Sequence, residues 1–181
     1  MKNTIVIKIG GVASQNLSQD FLAQVKKWKD THKNLVIVHG GGYAINKLME
    51  DNQVPVKKIN GLRVTSQSDM KLVSYALLYM VGENLTEKLN QSSIDSIQLL
   101  YVGDVSNIQI PILEQMLDNN MLPVLASLGY SKDGELLNIN ADYLATAVAV
   151  ALEAEKLVLI TDVKGVLENG VVLDSLTSTE F

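Results

Sequence analysis

Thr4-Ile5-Val6-Ile7-Lys8-Ile9-Gly10-Gly11 is an almost unbroken β-branched apolar run that ends in a lysine and consecutive glycines. Such a run, with no polar alternation, is the pattern of a strand buried on both faces, and that kind of strand belongs to a parallel sheet covered by helices. A lysine inside it is costly, so Lys8 needs a task. The arrangement recurs at Leu35-Val36-Ile37-Val38-His39, which runs into Gly40-Gly41-Gly42. Two buried strands, each ending in a polar side chain and glycines, predict two backbone surfaces facing one anionic ligand. Glycine lets main-chain N–H groups approach phosphate oxygens, and a neighbouring ammonium supplies a point charge. Phosphoryl transfer is the chemistry this pattern favours. A pair of tight strand-to-helix turns is the plainer alternative.

Outward from these strands the periodicity alternates. Apolar residues at 21, 22, 25 and 28 predict a helix over 20–33, and Ile45, Leu48 and Met49 predict another over 43–51. A long helix is predicted over 68–90, with Thr65, Ser66 and Ser68 as candidate caps. Further strands are predicted at 96–101, 122–127 and 157–161, and helices at 111–119 and 141–154. Lys132-Asp133-Gly134 is a turn signal, and Glu168-Asn169-Gly170 is a hairpin signal before Val171-Val172-Leu173. The alternation predicts an α/β fold, a three-layer αβα sandwich with a mainly parallel open sheet. Thr177-Ser178-Thr179-Glu180 reads as a capping box one residue before Phe181. The C-terminal part is therefore expected to be incomplete, with residues 1–155 forming an N-terminal lobe and 156–181 opening a second.

With 181 residues the chain can bury a full core, and 47% apolar residues with few aromatics suit an aliphatic α/β interior. A net charge of −5 and a pI near 5.0 leave no basic stripe for nucleic acid. The lysines at 26, 27, 29 and 33 are expected to form a solvated helix face. No apolar run is long enough to span a bilayer. Met1-Lys2-Asn3 leads straight into the first strand, so no signal peptide and a cytoplasmic location are expected. The absence of cysteine removes disulfides and thiolate metal sites, and no metal-ligand set is predicted.

The glycine clusters match neither G-x-x-x-x-G-K-[ST] nor G-x-G-x-x-G, which argues against a P-loop and against a Rossmann dehydrogenase. Arg63, read as a loop residue, suits bidentate capture of a carboxylate. In Asn138-Ile139-Asn140-Ala141-Asp142, alternation puts both asparagines on one face of an extended segment, with Asp142 at a helix start. Helix capping is the alternative role for Asn140 or Asp142. Transfer to a carboxylate needs no general base, because that nucleophile is ionised at neutral pH. His39 is accordingly read as a satisfied structural histidine. Thr161 and Asp162 follow the last apolar strand, at the carboxyl end where open α/β sheets bind ligands.

Five blocks together resemble the amino acid kinase family: Lys8-Ile9-Gly10-Gly11, His39-Gly40-Gly41-Gly42, Gly61-Leu62-Arg63-Val64-Thr65, Asn138-Ile139-Asn140-Ala141-Asp142 and Thr161-Asp162-Val163-Lys164-Gly165-Val166-Leu167. They occur in the family's order over almost the whole chain. Within the family the resemblance is greatest to the members that phosphorylate the side-chain carboxylate of N-acetyl-L-glutamate with MgATP in arginine biosynthesis. It implies that Lys8 stabilises the transferring phosphoryl group and that Asp142 orients the lysine. It implies phosphoryl contacts from the amides of Gly10, Gly11, Gly41 and Gly42, with Gly41 and Gly42 also near the acceptor. Arg63, Asn138 and Asn140 would bind the acceptor, and Thr161 and Asp162 would border ATP.

The chain departs from the family pattern in four places. Family members continue past Phe181 with a G-G-M-x-x-K-type segment, and this chain is short between Lys88 and Tyr101. Ser66 stands where aspartate is common, and Tyr43 where proline is common. Arginine-inhibited members carry an extra N-terminal helix, so the resemblance implies an arginine-insensitive homodimer. Two other functions compete: a sister kinase acting on a carrier-protein-linked aminoadipate, and a truncated paralogue that only binds the amino acid.

Overall fold

The computed structural model describes residues 3–59, 62–99, 103–104, 107–163, 165–168, 170–175 and 177. Asn60, Gly61, Lys164, Asn169 and the capping-box residues Ser178, Thr179 and Glu180 lie outside them.

In chain order, β1 (Thr4–Ile9) leads through a 3-10 turn at Gly11–Ser14 to α1 (Gln19–Asp30), β2 (Asn34–His39) and α2 (Gly42–Asp51). A small hairpin follows, β3 (Lys57–Ile59) and β4 (Leu62–Val64). The long helix comes next, as α3 (Met70–Tyr75), a π-helical segment at Ala76–Gly82 and α4 (Glu83–Gln91). Then come β5 (Ser96–Leu99), the short pair β6 (Gly103–Asp104) and β7 (Asn107–Ile108), α5 (Ile110–Asp118) and β8 (Leu122–Ala126). A second hairpin, β9 (Leu128–Tyr130) and β10 (Leu136–Asn138), precedes α6 (Ala141–Ala151) and β11 (Lys156–Ile160). The last pair is β12 (Leu167–Glu168) with β13 (Val171–Val172), where the hairpin signal predicted it.

The central sheet has five strands in the order β11-β1-β2-β8-β5, and every neighbouring pair in it is parallel. Side-chain parity sorts the two cores. Ile5, Ile7 and Ile9 of β1, Leu35 and Ile37 of β2, and Leu122 and Val124 of β8 pack against α1, α2 and the long helix. Val6, Val36, Val38 and Leu125 face the other way, onto Leu113 and Leu117 of α5 and Leu144, Ala145 and Val148 of α6. This is the three-layer αβα sandwich expected. Full burial of each such aliphatic side chain contributes about 1.5–3 kcal/mol of transfer free energy. Lys8 shares the parity of Val6, so it emerges on the α6 side. His39 shares that of Ile37 and lies under the long helix.

Local details correct several expectations. α1 begins at an N-cap, Ser18, whose Oγ accepts from the Phe21 amide at 3.1 Å, and it ends at Asp30 rather than 33. The basic cluster is only partly a solvated face. Lys26 and Lys27 are exposed, but Lys33 pairs with Glu155 at 2.5 Å. Lys29 donates to the backbone and side-chain oxygens of Asn120, and burial lowers its pKa. The predicted helix over 68–90 is continuous from Met70 to Gln91, but its middle is π-helical, with the Glu83 amide reaching the Leu78 carbonyl. Gln98 from β5 donates to that same carbonyl at 2.9 Å. No helix among the described residues is long and apolar enough to cross a membrane.

Candidate active site

The chain leaves the carboxyl ends of the adjacent strands β2 and β8 toward opposite faces. After β2 it enters α2 in the first core, and after β8 it reaches α6 in the second. Such a reversal opens a crevice at the strand ends, the place where open α/β sheets take ligands. A cavity of about 430 Å³ lies there, lined by Lys8, Gly10, Gly40 to Gly42, Arg63, Asn138, Asn140 and Asp142 among others. Sequence blocks more than 100 residues apart thus converge. Thr161 and Asp162 do not line it. Gly11 opens the 3-10 turn, and Thr161 and Asp162 are exposed beyond β11, where the Thr161 hydroxyl donates to Asp162 at 3.2 Å.

Lys8 Nζ lies 3.0 Å from Asp142 Oδ1, with the lysine side chain 13% exposed and the aspartate 53%. The pairing follows from the fold: strand parity turns Lys8 toward α6, and Asp142 stands in that helix's first turn, where the macrodipole favours a carboxylate. Asn140 caps the same helix, its Oδ1 accepting from the amides of Asp142 and Tyr143 at 2.8 and 3.1 Å. β10 ends at Asn138, so the two asparagines do not share a strand face as the alternation suggested. Asn138 donates to Thr65 Oγ1 at 3.1 Å and thereby ties β10 to the segment after β4.

The glycines divide into two functions. The Gly10 amide donates to Ile160 O at 3.1 Å, so the sheet consumes the N–H that was assigned to phosphate. What Gly10 supplies is space, because a Cβ there would lie 2.6 Å from Lys8 Nζ. Gly41 is the N-cap of α2, and no side chain caps that end. Among the described residues the amides of Gly41, Gly42, Tyr43 and Ala44 have no acceptor, so the N-terminus of α2 offers an open set of donors to an anion. A Cβ at Gly41 would lie 2.8 Å from Leu77 Cδ2 of the π-helical segment. Glycine lets α2 start in direct contact with the bulged helix.

Arg63 is on β4 rather than in a loop. Its guanidinium donates to Asn46 Oδ1 and, at 3.4 Å, to Met49 Sδ, both on α2. Partial burial lowers its pKa, yet a guanidinium stays charged at neutral pH. Its two contacts are uncharged, which leaves its charge free to meet an anion in the cavity.

The profile of the amino acid kinase family matches residues 3–180. The chain belongs to the amino acid kinase family. Among family members, a Streptococcus mutans protein named acetylglutamate kinase is 63% identical, over 98% of this chain and 80% of that protein. A Streptococcus sanguinis protein of the same name is 51% identical, over 100% of this chain and 81% of its own length. The crystal structure of smu.665 from Streptococcus mutans UA159 superposes with a TM-score of 0.94 at 62% identity, covering 99% of this chain and 81% of that one. The alignment to the S. sanguinis kinase spans 199 positions against the 181 residues here, so the relative carries internal residues without a counterpart in this chain.

The sequence reading missed Lys58, Ile45, Leu62, Ser127 and Tyr143 as lining residues of this amino acid kinase cavity. Lys58 had a signal. The sequence Asn60-Gly61 is a two-residue hairpin signal, and reading it as such pairs Lys58 with Arg63, the register that β3 and β4 adopt. The others depend on long-range packing.

His39 is only half satisfied. Its Nδ1 lies 3.2 Å from the Gly40 carbonyl, whereas its Nε2 is buried without a partner among the described residues. Burial, partly opposed by that backbone contact, pushes its pKa down to about 4 from 6.5. Between those values the unfolded chain binds a proton that the folded chain refuses, so stability decreases as the pH is lowered. The contribution is complete above about pH 6.5 and is lost as pH drops through about 4, and it is on the order of 3 kcal/mol. Urea unfolding at pH 7 and pH 4.5 should show a smaller pH difference in His39→Gln than in the parent. An unchanged difference would remove His39 as its source.

Proposed function

We propose that this chain transfers the γ-phosphoryl group of MgATP to the side-chain carboxylate of N-acetyl-L-glutamate, the acetylglutamate kinase reaction. The relatives' names support the substrate. The observation that carries the reading is one cavity joining the Lys8–Asp142 pair, the open amides of α2 and the uncommitted charge of Arg63. In the proposed reaction an acceptor carboxylate oxygen attacks the γ-phosphorus. The new O–P bond forms as the bond to the β,γ-bridging oxygen breaks, and ADP leaves with that electron pair. No base is required, since the acceptor is already an anion. Catalysis then consists of positioning and charge neutralisation.

The Lys8 ammonium neutralises charge on the migrating group, and Asp142 orients it. The amides of Gly41 and Gly42 contact the phosphoryl oxygens beside the acceptor, Arg63 binds its α-carboxylate, and Asn138 and Asn140 hydrogen-bond to it. ATP approaches from the β11 side, bordered by Thr161 and Asp162, because Ile9 and Ile160 are direct partners in the ladder and both strand ends open on one edge. In this reading Mg²⁺ enters with the nucleotide, as part of the MgATP donor. We assign acceptor binding and homodimerisation to residues 1–155 and the start of the nucleotide lobe to 156–181.

ADP release should depend on N-acetyl-L-glutamate and not on an aminoadipate-bearing carrier protein; the reverse preference would assign the chain to the sister kinase. Arg63→Ala should raise the KM for N-acetyl-L-glutamate about 10–100-fold, the size of a lost charge-assisted hydrogen-bond pair, with a smaller change in kcat. A KM equal to the parent's would free Arg63 of that role.

A further inference from the structure

In the β3–β4 hairpin, Lys58 stands directly opposite Arg63 in antiparallel register, so both side chains leave the same face, and both line the cavity. Like charges directly across a strand pair repel and destabilise it. Neither has a counter-ion among the described residues. Lys58 is exposed and makes no ion pair or hydrogen bond among the described residues, and Arg63 contacts only Asn46 and Met49. The cavity's own carboxylate, Asp142, is engaged with Lys8. Among the described residues the lining therefore carries two cationic charges beyond what its single carboxylate balances, and two of its cations are adjacent on one short hairpin.

We infer that Lys58 and Arg63 form a dicationic clamp that selects an acceptor bearing a second carboxylate remote from the reacting one. The inference rests on the proposed reaction and deepens it by naming the residue that discriminates dianionic from monoanionic acceptors. N-acetyl-L-glutamate carries two carboxylates; with one directed at the phosphoryl site, the other lies between the two cations and converts their repulsion into attraction. The register places the two side chains as direct cross-strand neighbours. Arg63 supplies the oriented fork, and Lys58 a flexible point charge. Because Lys58 is exposed, its share is modest and salt-sensitive.

The test is calorimetric titration of the intact chain with N-acetyl-L-glutamate and with its α-amide, which keeps the reacting carboxylate and loses the other. The parent should bind the dianion more tightly than the α-amide. Lys58→Met should weaken dianion binding about fivefold, as expected for an exposed ion pair, and leave α-amide binding within about twofold. Lys58→Arg should retain the parent preference, and raising salt should narrow it. Equal weakening for both ligands, no weakening in Lys58→Met, or a Lys58→Arg variant as weak as Lys58→Met would overturn the clamp while leaving the proposed reaction intact. A parent that binds no N-acetyl-L-glutamate at all would overturn both.

Discussion

Lys8→Ala should lower kcat for phosphoryl transfer by about 10²–10³-fold or more, the range seen when a preorganised donor to a developing charge is removed. The physical reason lies in where the fold puts the ammonium. It is 13% exposed, it sits at the end of a strand buried on both faces, and it is held 3.0 Å from Asp142. A cation in that position needs no reorganisation as charge builds on the migrating group. The same substitution should change stability little, because an ion pair whose anion is half exposed contributes under about 1 kcal/mol. N-acetyl-L-glutamate affinity should persist, since Arg63 and the α2 amides remain. A variant as active as the parent would refute the role of Lys8. Loss of folding rather than of rate, seen by thermal melting, would assign the lysine to the fold.

Gly10→Ala separates space from flexibility. Gly10 is not among the glycines with a left-handed φ, so its backbone accepts alanine without strain, and its amide bond to Ile160 is kept. The added methyl would stand 2.6 Å from Lys8 Nζ and 3.2 Å from Cε, with Ile160 O farther away at 3.8 Å. Among the described residues the only close neighbour is therefore the far end of a flexible side chain, which swings away at little energetic cost. The fold should survive and the Lys8 ammonium should be displaced. Transfer should fall about 100-fold, the effect of misplacing a reacting group by an ångström, while Tm and acceptor binding stay near the parent's. Parental turnover in Gly10→Ala would mean that the lysine's present position is not the working one.

These two residues also mark how far the sequence was legible. The apolar run around Lys8 gave the buried strand, and strand parity explains why the lysine faces α6. Gly10 was assigned a phosphate-binding amide because the partner of that amide, Ile160, is 150 residues away and becomes adjacent only when β11 closes on β1. The open amides at the start of α2 were visible in the sequence, since a helix start after glycines with no capping side chain is a local property. Asn140 had two competing readings, cap or ligand-binding group, and it caps α6 while also lining the cavity. The π-helical segment was invisible because its apolar spacing is indistinguishable from that of an ordinary helix; the Gln98 contact that accompanies it comes from β5, outside the helix. Arg63 was misread as a loop residue, although Asn60-Gly61 offered the hairpin.

The most direct measurement is trapping of the product. An acyl phosphate reacts with hydroxylamine to give a hydroxamate, whereas ATP hydrolysis without transfer gives none. Incubating the chain with MgATP, N-acetyl-L-glutamate and hydroxylamine should yield the glutamyl hydroxamate, and Lys8→Ala should yield almost none. Acceptor-dependent ADP release with no hydroxamate, or equal hydroxamate from Lys8→Ala, would contradict transfer of a phosphoryl group to the carboxylate beside Lys8.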